Sequence, residues 1–304
     1  MSRFLDALRA RTLLADGALG SYIFELTGRL SEENHVYEAL SVDHPQIIRD
    51  TYRAYLNSGS RCLTTNTFAA NKSCLAALGM SHRTAELSAA AVTIAREAID
   101  DFAPSSGASQ DDFFVLGSVG PTHAGDESDD AVTEAYAAQL QALIDGGVDA
   151  LLLESFRSIE LLQGVLREVT RRSADLPVIA HMSLNRDDGS WNVTPEQLIE
   201  LGAQQGARVV GINCCTPWDA AAFVATAASN PLVSAGDLLL SAMPNAGGFQ
   251  HIGNRFMTRV NPEYMGQLAR TLSESGASLL GGCCEIHPAH VWEMNNYLNS
   301  RGAW

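Results

Sequence analysis

Short apolar runs recur along the chain and alternate with stretches of helical periodicity. Eight runs rich in Leu, Val and Ile are candidate strands: 12–16, 61–67, 113–120, 149–155, 177–183, 208–213, 237–245 and 277–282. Continuous apolar runs of this length are typical of parallel strands that are buried on both faces. The amphipathic stretches 134–147 and 160–173 predict helices between them, and Gly146-Gly147 is suited to cap the first.

Eight successive strand-and-helix units in 304 residues predict an α/β fold of the (β/α)8 TIM-barrel type. An open, doubly wound parallel sheet is the structural alternative. No linker or internal repeat demands a second domain, so we expect one barrel domain over residues 1–304. The polar segment 104–112 is predicted to be a loop between a helix and a strand.

The charge balance narrows the class of partner. The chain carries 20 basic and 35 acidic residues, a formal net charge of −15, and no segment rich in Lys or Arg. We therefore expect no nucleic-acid partner. No run approaches the ~20 apolar residues of a membrane span, and the first residues lack the pattern of a leader, so we expect no membrane association and a cytoplasmic location. The acidic run 125–130 is predicted to be a solvated loop, with guidance of a cationic donor or docking of a partner as the alternatives.

Unusual residues cluster directly after the candidate strands. They are Asp16-Gly17, Asn66-Thr67, Gly120-Pro121-Thr122, Glu154, Asn213-Cys214-Cys215, Pro244-Asn245 and Cys283-Cys284. In a (β/α)8 barrel all strands end at the same face, where active sites are built. Turn geometry accounts for the Gly and Pro residues, but it does not account for the cysteines or Glu154. This distribution predicts a site assembled from several strand ends.

Two adjacent cysteine pairs, Cys214-Cys215 and Cys283-Cys284, indicate a metal site. Adjacent cysteines seldom bridge each other, and clustered thiols in a long intracellular chain are typical of metal binding or catalysis. A catalytic zinc takes three protein ligands and leaves a fourth position for substrate. We expect Gly281-Gly282 to end the last strand and turn both following cysteines to the same side. Buried apolar cysteines and a redox couple between the two loops are the alternatives.

The sequence offers weaker evidence for four other candidate metal ligands. Cys62 lies within a predicted strand and Cys74 within a predicted helix, so both are expected to fill the core. His287 and His290 follow the last cysteine pair and are alternative ligands, because imidazole is common at zinc. Pro288 predicts the start of a helix, which puts His287 just before it and His290 in its first turn.

Seven motifs spread over nearly the whole chain carry a resemblance to a known family. They are LLADGALGS (13–21), TTNTFAAN (64–71), GSVGPT (117–122), LLLESF (151–156), GINCC (211–215), MPNAGG (243–248) and GGCC (281–284) followed by Pro288 and His290-Val291. Together they resemble the homocysteine S-methyltransferase family, in particular the homocysteine-binding barrel of cobalamin-dependent methionine synthase. The two cysteine motifs in this order are the specific part of the resemblance.

The resemblance implies a zinc site and a substrate pocket. Zinc would be held by Cys214, Cys283 and Cys284, which selects Cys214 over Cys215. The substrate-binding residues implied are Asp16, Gly17, Ala18, Leu19, Gly20, Ser21, Glu154 and Asn213. Loop amides can hold a carboxylate, and a buried carboxylate can pair with an ammonium group. Asp16 and Asn213 are expected to support the pocket; an Asx-turn at Asp16 and a loop hydrogen bond at Asn213 are the alternatives.

The implied reaction moves a methyl group to the thiolate of homocysteine and yields methionine, with Zn²⁺ as the cofactor and no catalytic side chain beyond the metal ligands. A metal-coordinated thiol is deprotonated and therefore nucleophilic. The methyl donor stays open among S-methylmethionine, S-adenosylmethionine, betaine and methylcobalamin, the last carried by a separate corrinoid protein. A different thiol acceptor, a non-catalytic thiol-binding barrel with structural zinc, and thiol–disulfide chemistry are the alternative functions.

The chain departs from the family pattern directly after the cysteine pair. Glu285 and Ile286 stand where the family has a glycine and a threonine, and Ala18 and Ser21 are milder changes in the first loop. A carboxylate and a bulky side chain at these positions are expected to reshape the acceptor pocket. The alternative, which we favour, is that Glu285 points to solvent as a first-turn residue stabilised by the helix dipole.

Overall fold

A computed structural model of the chain describes residues 2–27, 36–122, 128–184, 186–187, 190–246, 249–252, 255–258 and 260–300. Its central sheet contains eight strands: β1 (Leu13–Leu14), β2 (Cys62–Thr64), β3 (Phe114–Val119), β4 (Ala150–Phe156), β5 (Val178–Met182), β6 (Val209–Asn213), β7 (Leu239–Met243) and β8 (Ala277–Leu280). Seven of them lie within the apolar runs that predict strands, and β4 extends one residue beyond its run, to Phe156.

Helices lie before, between and after the strands. They are α1 (Arg3–Ala10), α2 (Leu19–Thr27), α3 (Leu40–Asp43), α4 (Pro45–Asn57), α5 (Lys72–Ala76), α6 (Thr84–Ser106), α7 (Asp129–Asp145), α8 (Ile159–Arg172), α9 (Pro195–Gln205), α10 (Pro217–Ala227), α11 (Pro231–Ser234), α12 (Pro262–Glu274) and α13 (Pro288–Asn299). Short 3-10 turns cover 37–39, 81–83 and 110–112. Two small hairpins pair 186–187 with 190–191 and 249–252 with 255–258.

All neighbouring strands of the central sheet are parallel and follow one another in chain order. The order is β1-β8-β7-β6-β5-β4-β3-β2, so β1 and β2 are the two edges of the sheet. A parallel bridge between Ala15 and Cys62 joins these edges, and the amide of Asp16 donates to the carbonyl of Cys62 at 3.0 Å. The sheet therefore curls into a TIM barrel, and the carboxyl ends of all eight strands meet at one face.

Two of the hydrophobic clusters among the described residues form the barrel core, and a smaller third cluster contains Val36, Ala39, Leu75 and Leu87. Residues that point outward from the strands pack against the helices, and residues that point inward fill the barrel. Helix α1 covers the amino-terminal end of the barrel, where the Phe4 ring meets the Phe114 ring edge-on with their centroids 5.4 Å apart. This end is filled with apolar side chains, and the carboxyl ends of the strands form the opposite face.

Most of the local predictions are confirmed. The helices predicted over 134–147 and 160–173 are α7 and α8, and Gly147 after α7 adopts a left-handed backbone with φ 76°. The loop predicted over 104–112 is wrong in part: α6 continues through Pro104 to Ser106 and ends at Gly107, and a 3-10 turn covers 110–112. Of the acidic run 125–130, residues 125–127 lie outside the described residues.

Within the part of the chain that the structure describes, no helix is long and apolar enough to cross a membrane.

We expect Phe4→Ala to lower the free energy of unfolding by about 3–5 kcal/mol, because Phe4 is buried and the truncation leaves a cavity beneath the barrel. Urea denaturation measures this change. Leu78→Ala is the matched control, since Leu78 is 49% exposed and its loss should change stability by less than about 0.5 kcal/mol. A similar, small effect of both substitutions would contradict the role of α1 as part of the core.

Candidate metal centre and substrate cavity

A cavity of about 870 Å³ opens at the carboxyl ends of the strands. The residues predicted from the sequence that line it are Gly17, Ala18, Leu19, Gly20, Ser21, Glu154, Cys214, Cys283 and Cys284. Asp16 and Asn213 are buried and do not line it. The structure therefore brings the predicted site residues together, although they come from four different strand ends.

Three cysteine sulfurs form a compact group in the wall of this cavity. The Sγ atom of Cys284 lies 4.0 Å from that of Cys214 and 4.0 Å from that of Cys283, and all three atoms lie within 4.8 Å of one another. Each residue is partly exposed, whereas Cys215 is buried and outside the group. Among the described residues this is the one cluster of three or more side chains with metal-binding spacing.

Cys214 reaches the cavity because the backbone turns where β6 ends. Successive residues of a strand point to opposite faces, so Asn213 and Cys214 would normally diverge. Cys214 instead has a left-handed backbone with φ 51°, which ends this alternation. The hydroxyl of Ser183 donates to the Cys214 carbonyl at 3.1 Å and holds the turn from the neighbouring strand end.

Cys283 and Cys284 lie in a turn beyond the end of β8, as expected. The amide of Cys283 donates to the Pro244 carbonyl at 2.9 Å, and the amide of Ile286 donates to the Cys283 carbonyl at 3.1 Å. As predicted, β8 ends directly before Gly281-Gly282, and the turn requires no positive φ at either glycine. Gly282 is required for space, because a Cβ atom there would lie 2.1 Å from Cγ2 of Ile286.

The sulfur spacing fits zinc. A tetrahedral site with Zn–S bonds of about 2.3 Å has neighbouring sulfurs about 3.8 Å apart, close to the two 4.0 Å separations observed. A fourth position would face the cavity, since all three cysteines line it. The cluster is thus compatible with a metal that also binds a ligand from the cavity.

Two asparagines orient the sulfurs. The Asn213 side-chain amide lies 3.9 Å from the Cys283 sulfur, and that of Asn245 lies 3.9 Å from the Cys214 sulfur. The side-chain oxygen of Asn245 (Oδ1) also accepts a hydrogen bond from the backbone amide of Cys284 at 3.1 Å. These N–H groups stabilise negative charge on the sulfurs.

The three thiols interact strongly with one another. Hydrogen bonds from Cys283 and then Cys284 lower the pKa of Cys214, with a further contribution from Asn245. The bond with Cys214 raises the pKa of Cys284, and the bonds with both partners raise the pKa of Cys283. One thiolate with two thiol donors is therefore the arrangement that the side chains favour by themselves, and a cation would complete the charge balance.

Glu154 stands at the end of β4 beside this cluster. One carboxylate oxygen accepts a hydrogen bond from the Ser118 hydroxyl, and the other lies 3.3 Å from the Asn213 side-chain amide. Burial raises its pKa to about 7, while the Ser118 bond acts in the opposite direction. Asn213 also accepts a hydrogen bond from the Ser155 amide at 2.7 Å, so it supports Glu154 and the cysteines together.

The Asp16 side chain, just after β1, forms hydrogen bonds to β2 beneath the cavity. Its carboxylate accepts hydrogen bonds from the Thr64 amide at 2.8 Å and from the Thr64 hydroxyl at 2.9 Å. Burial raises the pKa of Asp16 to about 8, although the two bonds from Thr64 lower it. In this structure Asp16 acts as a support between strands and does not line the cavity.

Hydrogen bonds connect the loop that follows β1 with the loop that follows β8. The amide of Ala18 donates to the Ile286 carbonyl at 2.9 Å, and the Tyr55 hydroxyl donates to that carbonyl and to the Ala18 carbonyl. Gly17 permits this approach, because a Cβ atom there would lie 2.0 Å from the Ile286 carbonyl oxygen. Leu19, Gly20 and Ser21 begin α2, where backbone N–H groups lack partners within the helix.

Two expectations about the departures from the family pattern are wrong. Ile286 is fully buried and packs against Gly282, so its side chain does not shape the cavity. Glu285 precedes α13, which begins at Pro288, and it lines the cavity instead of pointing to solvent from the first turn. Its backbone is left-handed with φ 62°, a conformation that glycine adopts without strain.

The two histidines lie outside the cysteine cluster. His287 flanks α13 and His290 is in its first turn, as predicted from Pro288. The Nε2 atom of His287 lies 3.0 Å from the Ser21 hydroxyl, and its Nδ1 atom lies 2.6 Å from the Glu25 carboxylate. The His290 ring accepts a hydrogen bond from the His287 amide. Cys62 and Cys74 are buried in β2 and α5.

The sequence alone assigns no role to several residues of the site. Ser118 and Asn245 lie within motifs 117–122 and 243–248, which signalled the family but not these contacts; residues 247–248 lie outside the described part of the chain. Tyr37, Glu38 and Arg157 also line the cavity. No periodicity or spacing in the sequence identifies these three residues as part of the site, because only the tertiary fold brings them there.

Comparison with known proteins decides the family. The family model for homocysteine S-methyltransferase matches residues 13–298. The chain belongs to the homocysteine S-methyltransferase family. Relatives of this family member include the methionine synthase of Mycobacterium tuberculosis, 28% identical over 95% of this chain, and that of Mycobacterium leprae, 27% identical over 95%. The chain spans about a quarter of the length of these relatives, 25% and 24% respectively.

Solved structures support the fold. The homocysteine methyltransferase MmuM of Escherichia coli in its metallated form superposes with a TM-score of 0.76 at 22% identity, covering 95% of this chain and 99% of that one. A methyltransferase from Methanosarcina mazei superposes with a TM-score of 0.58 at 11% identity, covering 98% and 97%. At these identities the likeness establishes the barrel fold of this family member.

We expect Asp16→Asn to reduce the pH dependence of stability. The folded state holds a proton on Asp16 up to about pH 8, whereas the unfolded state releases it above its ordinary pKa of 3.8. Unfolding is therefore increasingly favoured as the pH rises from 4 to 8, and Asn removes this contribution. Urea denaturation at pH 5 and pH 8 measures the free energy of unfolding of both proteins. The value for the variant minus the value for the parent chain should be more than about 1 kcal/mol larger at pH 8 than at pH 5. If the two proteins differ in unfolding free energy by the same amount at both pH values, burial does not raise the pKa of Asp16 as described.

Proposed function

We propose that this protein is a zinc-dependent thiol S-methyltransferase that moves a methyl group to the sulfur of homocysteine and yields methionine. The observation that carries this proposal is the group of three cysteine sulfurs within 4.8 Å of one another in the wall of the large cavity. Membership of the homocysteine S-methyltransferase family supports the choice of reaction.

Cys214, Cys283 and Cys284 would hold the metal. When bound, zinc would keep the acceptor sulfur deprotonated and nucleophilic without redox chemistry of its own. Asn213 and Asn245 donate toward two of the ligand sulfurs and fix their orientation. The metal identity rests on sulfur as the donor type and on the spacing, since thiolates select zinc over harder cations such as Mg²⁺.

The cavity offers complementary groups for an amino-acid substrate. The unpaired amides at the start of α2 suit the carboxylate of the acceptor, because helix N-termini bind anions. Glu154, placed beside Cys214 and fixed by Ser118 and Asn213, suits its ammonium group. With both ends held, the thiol would extend toward the cysteine cluster in a constant orientation.

Delivery of the methyl group has two arrangements. A small cationic donor would share the cavity, whose 870 Å³ exceeds the needs of one amino acid. The second arrangement, a separate corrinoid protein as methyl carrier, is favoured by the relatives being methionine synthases of which this chain matches one quarter. Supplying S-methylmethionine, S-adenosylmethionine, betaine and methylcobalamin separately with homocysteine, and measuring methionine formed, distinguishes these donors.

We expect zinc to co-purify at about one ion per chain, and Ser substitution of Cys214, Cys283 or Cys284 to abolish both stoichiometric zinc and methionine formation. Metal analysis and the methionine assay measure the two effects. Cys215→Ala is the matched control: it removes the adjacent thiol, which lies outside the cluster, and should retain zinc. Undiminished zinc in all three Ser variants, or no methyl transfer with any donor, would overturn the proposed function.

A further inference from the structure

Glu285 occupies a fixed position at the loop end of the cavity. It follows Cys284 directly, and its side chain is 23% exposed. The backbone on either side is held: the Ile286 amide donates to the Cys283 carbonyl, and the Ile286 carbonyl accepts hydrogen bonds from Ala18 and Tyr55. The carboxylate is therefore presented beside the first loop by a rigid turn.

The side chain next to Glu285 is also held in place. His287 lies between Ser21 and Glu25, with its Nε2 atom 3.0 Å from the Ser21 hydroxyl and its Nδ1 atom 2.6 Å from the Glu25 carboxylate. Its ring packs against Tyr22 with the centroids 5.5 Å apart. The nearest approach of His287 Nε2 to the Glu285 carboxylate is 3.7 Å, which is too long for a hydrogen bond.

Three carboxylates line the cavity among the described residues, and two of them are already engaged. Glu38 accepts a hydrogen bond from the Ala69 amide at 2.8 Å, and Glu154 is bound by Ser118 and Asn213. Glu285 accepts no hydrogen bond from any residue that the structure describes. Apart from the ion-pair contact with His287 at 3.7 Å, its carboxylate oxygens remain available to accept hydrogen bonds from a ligand in the cavity.

The groups beside Glu285 favour a ligand that carries both charges. The amides of Leu19 and Gly20 at the start of α2 attract a carboxylate. In an α-amino acid the ammonium group is bonded to the carbon next to the carboxylate. A substrate carboxylate on these amides therefore carries its ammonium group close to the loop end of the cavity, where Glu285 can accept its N–H groups.

We propose that Glu285 is a specificity-determining residue that binds the ammonium group of the acceptor, together with Glu154, and so selects thiols that bear an α-amino group. This inference rests on the proposed function, because it assumes that the cavity receives an amino-acid thiol. It concerns binding alone, and it predicts a change in the choice of thiol without any change in the metal content.

The test compares two thiols that differ only in the amino group, L-homocysteine and 4-mercaptobutanoate. Calorimetric titration of the zinc-loaded protein under reducing conditions gives both dissociation constants. We expect Glu285→Gln to reduce the preference for homocysteine about three- to tenfold, as for a partly exposed charge pair, with 4-mercaptobutanoate bound as well as before or more tightly.

Two further variants make the result decisive. Glu25→Gln removes an exposed carboxylate on the other side of His287 and should leave the preference unchanged. Glu285→Gly removes the charge while accommodating the φ of 62°, so it serves if the Gln variant folds poorly. If the parent protein binds homocysteine and both Glu285 variants keep its preference for homocysteine over 4-mercaptobutanoate, the role of Glu285 is wrong and the proposed function is unaffected. Failure of the parent protein to bind either thiol would overturn the proposed function as well.

Discussion

The whole site depends on holding three sulfurs within 4.8 Å of one another, although they come from two loops that are separated by about seventy residues. The parallel order of β6, β7 and β8 brings the loops together, because the ends of these strands are neighbours. Asn245, which follows the middle strand, contacts a cysteine of each loop. The barrel topology thus converts distant residues into one cluster, and the asparagines fix its dimensions.

Backbone strain is concentrated at the same place. Among the described residues, the non-glycine positions with positive φ are Ser155, Cys214 and Glu285, each at or just beyond the end of a barrel strand. Such conformations cost roughly 1–3 kcal/mol and persist where the surrounding structure enforces them. At Cys214 this backbone conformation places a cysteine side chain in the cavity wall, and at Glu285 it places a carboxylate there. The rest of the barrel has an apolar interior and an outer face covered by helices. Its packing provides the stability that offsets the cost of these strained residues.

The sequence predicts the barrel well because its signal is local: eight apolar runs correspond to eight strands, and unusual residues at their ends mark the functional face. Position after the strands and thiol chemistry together predict a metal site at the two cysteine pairs, and the family resemblance selects Cys214 over Cys215. The orientation of Glu285 was predicted wrongly, since the dipole argument assumed that a helix had already begun, whereas α13 starts at Pro288. Ile286 was assigned to the pocket but fills a space created by Gly282. Such details depend on contacts between loops that no periodicity or spacing records.

The central claim is that the metal held by the three cysteines binds the acceptor sulfur directly. X-ray absorption at the zinc edge of the purified, zinc-loaded protein measures the number of sulfur neighbours before and after homocysteine is added. We expect three sulfurs and one lighter atom without the thiol, and four sulfurs at about 2.3 Å with it. A sulfur count that stays at three when homocysteine is bound would contradict direct binding of the acceptor sulfur to the metal.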